Sequence, residues 1–318
     1  MEPILQIKNL TVHFPINIGT VRAVQNVNMT IAQGEVMGLV GESGCGKSTL
    51  GFSILRILSP PGKIISGQIL YHGHDIVKMT KKKLLALRGD SISIVFQDPL
   101  TSLNPLFSID EQFIETLRTH QKRINKKAAH EKAMRILESL GISPERLAEY
   151  PHQMSGGMRQ RIMIGMALIL NPDLLIADEP TTSLDVIVEA QFLDLLNELR
   201  KQYNLSILLI THNLGIVAQL ADRITVMYGG SVVETGRAKA IFEDPFHPYT
   251  QGLLSSIPNI RFEEQKLKTM LGSPPDSVNL PEGCVFHPRC PRVMDICKKE
   301  LPEMFARAGR QIKCWLYK

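Results

Sequence analysis

The chain has little net charge, few cysteines and no long apolar run, and each shortage closes off a class of protein. Its longest unbroken apolar stretch is Ile162 to Leu170, nine residues, where a membrane-spanning helix needs about 20. The start, Met1-Glu2-Pro3, has neither a basic n-region nor an apolar h-region. No secretory leader is therefore expected, and a cytosolic setting is. A formal net charge of +5 over 318 residues argues for no polyanion in particular, so nucleic acid is not an expected partner. Of the five cysteines, one is Cys45 and the other four follow residue 283. In a reducing compartment that grouping points to metal or redox chemistry before a disulfide framework. A composition of 44% hydrophobic and 21% charged residues is ordinary for a globular chain. The length suits one large domain with an appendage.

What is present begins with Gly41-Glu42-Ser43-Gly44-Cys45-Gly46-Lys47-Ser48-Thr49. An apolar run, Glu35 to Val40, precedes it as a buried strand, and Leu50 to Leu58 follows as a helix. Strand, glycine loop and helix are the context of a phosphate-binding P-loop. The glycines let successive N–H groups turn inward toward phosphate oxygens, and the helix adds its positive end. Lys47 supplies a mobile charge for the outer phosphates, and the Ser48 hydroxyl suits the Mg²⁺ shell. Cys45, at a helix N-terminus beside Lys47, is expected to have a lowered pKa and to be alkylatable; the alternative is a small space-filling residue.

Along the chain, Ile4 to Phe14 and Val21 to Ile31 read as antiparallel strands. A short strand is expected near Gly67 to Tyr71, a basic helix from Lys78 to Arg88 and a strand from Ser91 to Phe96. Helical periodicity runs from Ile109 to about Gly141 and again from Ser155 to Leu170. Leu174 to Ala177 reads as a buried strand, Val186 to Tyr203 as a helix, Leu205 to Ile210 as a strand and Leu214 to Leu220 as a helix. Arg223 to Tyr228 and Val232 to Glu234 are strands. The alternation predicts an α/β sheet with a helical insert near 98–170. Residues 258–283 read as a linker or arm, and 284–318 as a short Cys-rich extension that needs a staple to be ordered.

The strand at 174–177 is closed by Asp178-Glu179. Beside a P-loop, Asp178 can hold Mg²⁺ through water and Glu179 can polarise the attacking water. Gln97, at another strand end, can reach the same metal and water. His212, after the strand at 205–210, suits the γ-phosphate. Phe14 can stack on adenine. Met154-Ser155-Gly156-Gly157-Met158-Arg159-Gln160-Arg161 forms a second anion-binding helix start. One nucleotide does not need two such loops from one chain, so Ser155, Gly156 and Gly157 are expected to close over a nucleotide held by a partner subunit.

Together these segments resemble the ATP-binding subunit of an ABC transporter. In that resemblance 41–49 is the Walker A loop, Gln97 the Q-loop residue and Ser155-Gly156-Gly157 the signature. Asp178-Glu179 ends Walker B, Ser183-Leu184-Asp185 is the D-loop and His212 the switch histidine. Met154 and Met158 depart from the commonest LSGGQ form but flank the phosphate contacts. The resemblance implies ATP and Mg²⁺ as ligands and dimers that sandwich two ATPs. It also implies a P-loop NTPase fold of ABC type: a mixed sheet core, an antiparallel β subdomain and a helical subdomain within residues 1–257. Phe242 to Thr250 and Cys284 to Pro291 resemble the C-terminal region of oligopeptide and dipeptide importer ATPases. That implies a peripheral protein on the cytoplasmic face of the membrane. Its partners would be a second, non-identical ATPase, two permease subunits received by the helical insert, and an external substrate-binding protein. Nickel, glutathione and oligosaccharide importers share the tail, so peptide leads a short field of substrates.

Cys284, Cys290, Cys297 and Cys314 match the ligand count of a [4Fe–4S] cluster, which some members of the resembled family carry at this place. Zinc is the alternative, weakened by the lack of a C-x₂-C pair, and unliganded thiols remain open; His287 could replace one thiolate. A rival class is a soluble ABC ATPase acting on ribosomes or nucleic acid. Ribosome-recycling members carry two cassettes, whereas this chain has one P-loop and one signature, and 98–170 is too short for a DNA-repair coiled coil.

Overall fold

The computed structural model describes residues 3–97, 102–182, 185–256 and 270–318. They form two compact units, Met1–Lys78 with Leu208–Lys318, and Met79–Ile207. The first opens with β1 (Leu5–Ile16), β2 (Gly19–Ile31), β3 (Val36–Val40), α1 (Lys47–Ile54), β4 (Lys63–Tyr71) and β5 (His74–Asp75). An antiparallel sheet runs in the order β2-β1-β4-β5, with Phe14 opposite Val21. β4 starts earlier than its apolar run suggested because Lys63, Ile64 and Ser66 pair with His13, Val12 and Thr11. Gly67 (φ 97°) allows the irregularity: a Cβ there would lie 2.6 Å from the Asn9 carbonyl oxygen.

The second unit holds α2 (Lys81–Leu87), β6 (Ile92–Val95), α3 (Ile109–His120), α4 (Lys126–Ser139), α5 (Gly156–Leu168), β7 (Leu174–Asp178) and α6 (Val186–Tyr203). β6 and β7 pair in parallel, Ile92 with Leu174 through Val95 with Ala177. The periodic stretch at 109–141 is two helices, not one. Ser108 and Glu111 close a capping box on α3, and Asn125 caps α4 by accepting from the Ala128 N–H at 2.8 Å. Asn125 favours a cap over a helix interior, which makes the break where no Gly or Pro marks it.

The chain returns to the first unit along β8 (Ser206–Ile210) and continues through α7 (Leu214–Leu220), β9 (Arg223–Tyr228), β10 (Ser231–Arg237), α8 (Ala238–Glu243) and α9 (Pro248–Ser255). A terminal hairpin, β11 (Phe305–Arg307) and β12 (Arg310–Ile312), follows. Strands lie in the order β11-β12-β10-β9-β3. β3 and β9 are parallel, Met37 to Val40 against Arg223 to Val226. β12 pairs with β10, Ile312 opposite Glu234. The Cys-rich segment is thus ordered by strand pairing and by aromatic packing. Tyr228, Tyr249 and Phe286 are each at most 2% exposed, with ring centroids 4.6–5.5 Å apart. Burial of such side chains contributes about 2–3 kcal/mol each.

Candidate functional site

β3 is buried along its whole length and delivers the chain to Gly41. Gly41 has φ 153°, and a Cβ there would lie 2.2 Å from the Met227 carbonyl oxygen; at Gly46, φ 101°, it would lie 2.1 Å from that of Ala23. Neither position admits a side chain. Lys47, 5% exposed, arcs back so that Nζ donates to the Gly41 and Glu42 carbonyl oxygens at 2.8 and 3.0 Å. Ser43 and Gly44 are exposed at the loop tip, and Ser48 and Thr49 are half-buried in the first turn of α1. A cation and a helix start therefore meet at an accessible rim, the arrangement that receives phosphate oxygens.

Cys45 departs from expectation. Its thiol is 5% exposed, and burial pushes its pKa up, outweighing the neighbouring charge of Lys47. It is a packed residue of the loop, not an activated thiol.

The loop is also gripped from outside. The Tyr249 hydroxyl accepts from the Glu42 N–H at 2.9 Å. Arg289 donates to both Glu42 carboxylate oxygens, at 2.7 and 3.0 Å. Sequence reasoning passed over Glu42, Tyr249 and Arg289. His247, next to Tyr249, is 1% exposed and caps α9 by accepting from the Tyr249 N–H through Nδ1 at 3.0 Å. Burial lowers its pKa to about 3, so the ring is neutral. Phe14, on β1 of this unit, is half-buried, its ring 2.5 Å from where a Gly62 Cβ would be. His212 is exposed, between Thr211, whose N–H donates to the Leu39 carbonyl at 3.2 Å, and Asn213, the cap of α7.

In the second unit, β7 ends on Asp178, 3% exposed. Glu179 follows with φ 47°, a backbone state uncommon for a non-glycine residue and typical of functional sites. Gln97 Nε2 donates to Glu179 Oε2 at 3.0 Å, and Thr182 Oγ1 donates to the same oxygen at 3.1 Å. The structure thus brings Gln97 to Glu179 and adds Thr182, which the sequence did not single out. Ser155 caps α5, accepting from the Met158 N–H at 3.3 Å. Gly156 and Gly157 form its first turn. Asp185 caps α6, accepting from the Ile187 and Val188 N–H groups at 3.1 and 2.9 Å. Ser183 and Leu184 lie outside the described residues, as do residue 257 and residues 258–269 of the expected linker.

The four late cysteines all fall in the first unit. The Cys284 N–H donates to the Cys297 carbonyl at 2.8 Å. Burial, then neighbouring thiols, pushes Cys314 up to about 11, and burial raises Cys284 and Cys290 as well. His287 Nδ1 lies 3.0 Å from the Cys284 carbonyl oxygen. Among the described residues no group of three or more His, Cys, Asp or Glu is placed to hold a metal ion. The [4Fe–4S] cluster, and zinc in its stead, are therefore not supported at Cys284, Cys290, Cys297 and Cys314. Cys297 and Cys314 are buried, and Cys284 and Cys290 pack on the core around Tyr228. No helix of the described residues is long and apolar enough to cross a membrane.

A phosphate loop after a buried strand, with an Asp-Glu pair at another strand end, defines a P-loop nucleoside triphosphatase. Residues 24–182 match the family model of the ABC transporter, and 233–297 match that of the oligopeptide/dipeptide transporter C-terminal region. The chain is 46% identical to the dipeptide transport ATP-binding protein DppD of Bacillus subtilis, over 99% of this chain and 95% of that protein. It is 44% identical to the oligopeptide transport ATP-binding protein OppD of Salmonella typhimurium, over 98% and 93%. Among solved structures, cbiO1 of Clostridium perfringens, part of the transporter complex cbiONQ, superposes with a TM-score of 0.66. It is 30% identical, over 77% of this chain and 92% of that one. The dimeric ATP-binding cassette MJ0796 bound to ADP and Pi gives 0.66 at 26% identity, over 74% and 98%. The chain belongs to the ABC transporter family, as an ATP-binding ATPase subunit with the oligopeptide/dipeptide C-terminal region.

Proposed function

We propose that the protein hydrolyses ATP to drive import of di- or oligopeptides from the cytoplasmic face of a membrane. It would act with a second ATPase, two permease subunits and an external binding protein. The observation that carries the chemistry is the Glu179 carboxylate, held at a strand end by Gln97 and Thr182 beside buried Asp178. In this reading Lys47 and the loop N–H groups bind phosphate, and Phe14 stacks on adenine. Mg²⁺ neutralises phosphate charge when bound; Ser48, Gln97 and Asp178 are the residues that would hold it. Glu179 accepts a proton from the attacking water, and His212 contacts the γ-phosphate. Ser155, Gly156 and Gly157 complete the partner's site, and Asp185 contributes to nucleotide binding. The C-terminal thiols enter as packing, with no metal assigned. Support for the substrate comes from the full-length likeness to DppD and OppD, whose names specify dipeptide and oligopeptide transport.

The test is uptake by native cells carrying Glu179→Gln in their own copy of the gene. Loss of labelled di- and tripeptide uptake supports the proposal. Unchanged peptide uptake with loss of nickel, glutathione or oligosaccharide uptake would reassign the substrate.

A further inference from the structure

Two tetrads in the C-terminal half share one pattern, Phe246-His247-Pro248-Tyr249 and Phe286-His287-Pro288-Arg289. The fourth residue of each ends on Glu42, the second residue of the phosphate loop. They reach it from 207 and 247 residues away in sequence. The Arg289 side chain is 6% exposed and that of Glu42 24%. Nε of Arg289 donates to the Leu271 carbonyl at 3.0 Å, and Nη1 also reaches the Tyr228 hydroxyl at 3.3 Å. The guanidinium is thus bound on three sides. Glu42 in turn is held at its N–H by Tyr249, at its carbonyl by Lys47 Nζ and at its carboxylate by Arg289.

A buried, bidentate guanidinium–carboxylate pair adds geometry more dependably than it adds net stability. The geometry it fixes here is that of the residue between Gly41 and the exposed tip Ser43-Gly44. The pair also cancels a carboxylate charge carried by a loop whose ligand is a polyanion. Left bare, that carboxylate would oppose the incoming phosphates.

We propose that Arg289 is a positioning residue for ATP binding, acting through Glu42, with the Tyr249 hydroxyl as a second anchor on the same loop residue. The proposal rests on the reading of Gly41 to Thr49 as the ATP loop. It makes Tyr249 and the turn carrying Arg289 part of the nucleotide site's frame, so disturbance of the Phe286–Cys290 turn is felt as a change in ATP affinity.

The experiment is titration of the full-length chain with fluorescent trinitrophenyl-ATP, displaced by ATP. Arg289→Met weakens ATP binding by about tenfold, the scale of a lost charge-assisted pair. Adding Glu42→Gln to that variant restores affinity to within about threefold of the parent, because the bare carboxylate is gone. Tyr249→Phe keeps the packed ring and removes only the hydroxyl; it weakens binding by about threefold. The proposal is overturned if Arg289→Met and Tyr249→Phe both bind within about twofold of the parent. It is equally overturned if the Glu42→Gln, Arg289→Met double variant binds no better than Arg289→Met, which would reduce Arg289 to packing. Lys47→Ala separates the underlying reading: if it binds ATP as the parent does, the loop assignment fails and takes the proposal with it.

Discussion

Two glycine-bearing loops in this chain each start a helix, and they are held in opposite ways. The phosphate loop at 41–49 is fixed by its own chain. Gly41 and Gly46 sit against backbone carbonyls, and its second residue is tied to Tyr249 and Arg289. The loop at 155–157 is held by bonds within its own helix start, Ser155 accepting from the Met158 and Arg159 N–H groups, and at Gly157 by the Val188 side chain, 2.8 Å from where a Cβ would be. Beyond its chain neighbours and its own helix backbone, no described heavy atom lies within 4 Å of where a Gly156 Cβ would be. The first loop therefore needs glycine for reasons internal to the fold. Nothing in the described chain demands glycine at 156, and in the proposed function the demand comes from a nucleotide held by a partner. In the proposed function the first loop holds the chain's own nucleotide, and the second, with space at Gly156, would complete a partner's site.

The largest expected effect lies on the hydrolytic side. Glu179→Gln should retain ATP binding while phosphate release falls by about 10²–10⁴-fold, the range for a lost general base. Near-normal turnover would place the base elsewhere. The glycines test the comparison itself. Gly46→Ala forces Cβ toward the Ala23 carbonyl at a positive φ, and should cost about 3 kcal/mol in thermal unfolding, with loss of ATP binding. Gly156→Ala should leave thermal stability within about 0.5 kcal/mol and ATP binding by the single chain unchanged, yet impair hydrolysis by the assembled transporter. Destabilisation by Gly156→Ala would break the contrast.

Next is the pH response of the brace. His247 is held neutral by burial, with a pKa near 3 against an ordinary 6.5. Between those values the unfolded chain takes up a proton that the folded chain refuses. This contribution to stability is present above pH 6.5 and is lost as pH falls toward 3, at up to about 1.4 kcal/mol per pH unit. His247→Asn keeps an acceptor for the Tyr249 N–H and should flatten that part of a denaturation-against-pH profile. The smallest effect is at a local cap: Asp185→Ala should lower stability by about 1 kcal/mol, read by denaturant melts.

Much of this was legible in sequence where the signal is local. Val186–Tyr203, Leu214–Leu220 and Arg223–Tyr228 have the bounds their periodicity implies. The phosphate loop and the Asp178-Glu179 strand end are readable because strand, turn and helix lie side by side in sequence. What escaped depends on distant residues. The grip of Arg289 on Glu42 joins two stretches that nothing in either one announces, although the doubled Phe-His-Pro pattern was a clue. Of the two readings of Cys45, the space-filling one fits its burial; the activated one leaned on Lys47, which is visible in sequence where burial is not. The cysteine segment took its order from pairing with β10, which no short-range pattern reveals.

The most direct test is recovery of tagged Glu179→Gln protein with Mg-ATP from detergent-solubilised native cells, its companions identified by mass spectrometry. The account predicts a second ATPase and two polytopic membrane proteins, retained with ATP and lost when Gly156→Ala is added. Recovery of ribosomal or nucleic-acid-bound proteins without any membrane protein would contradict it.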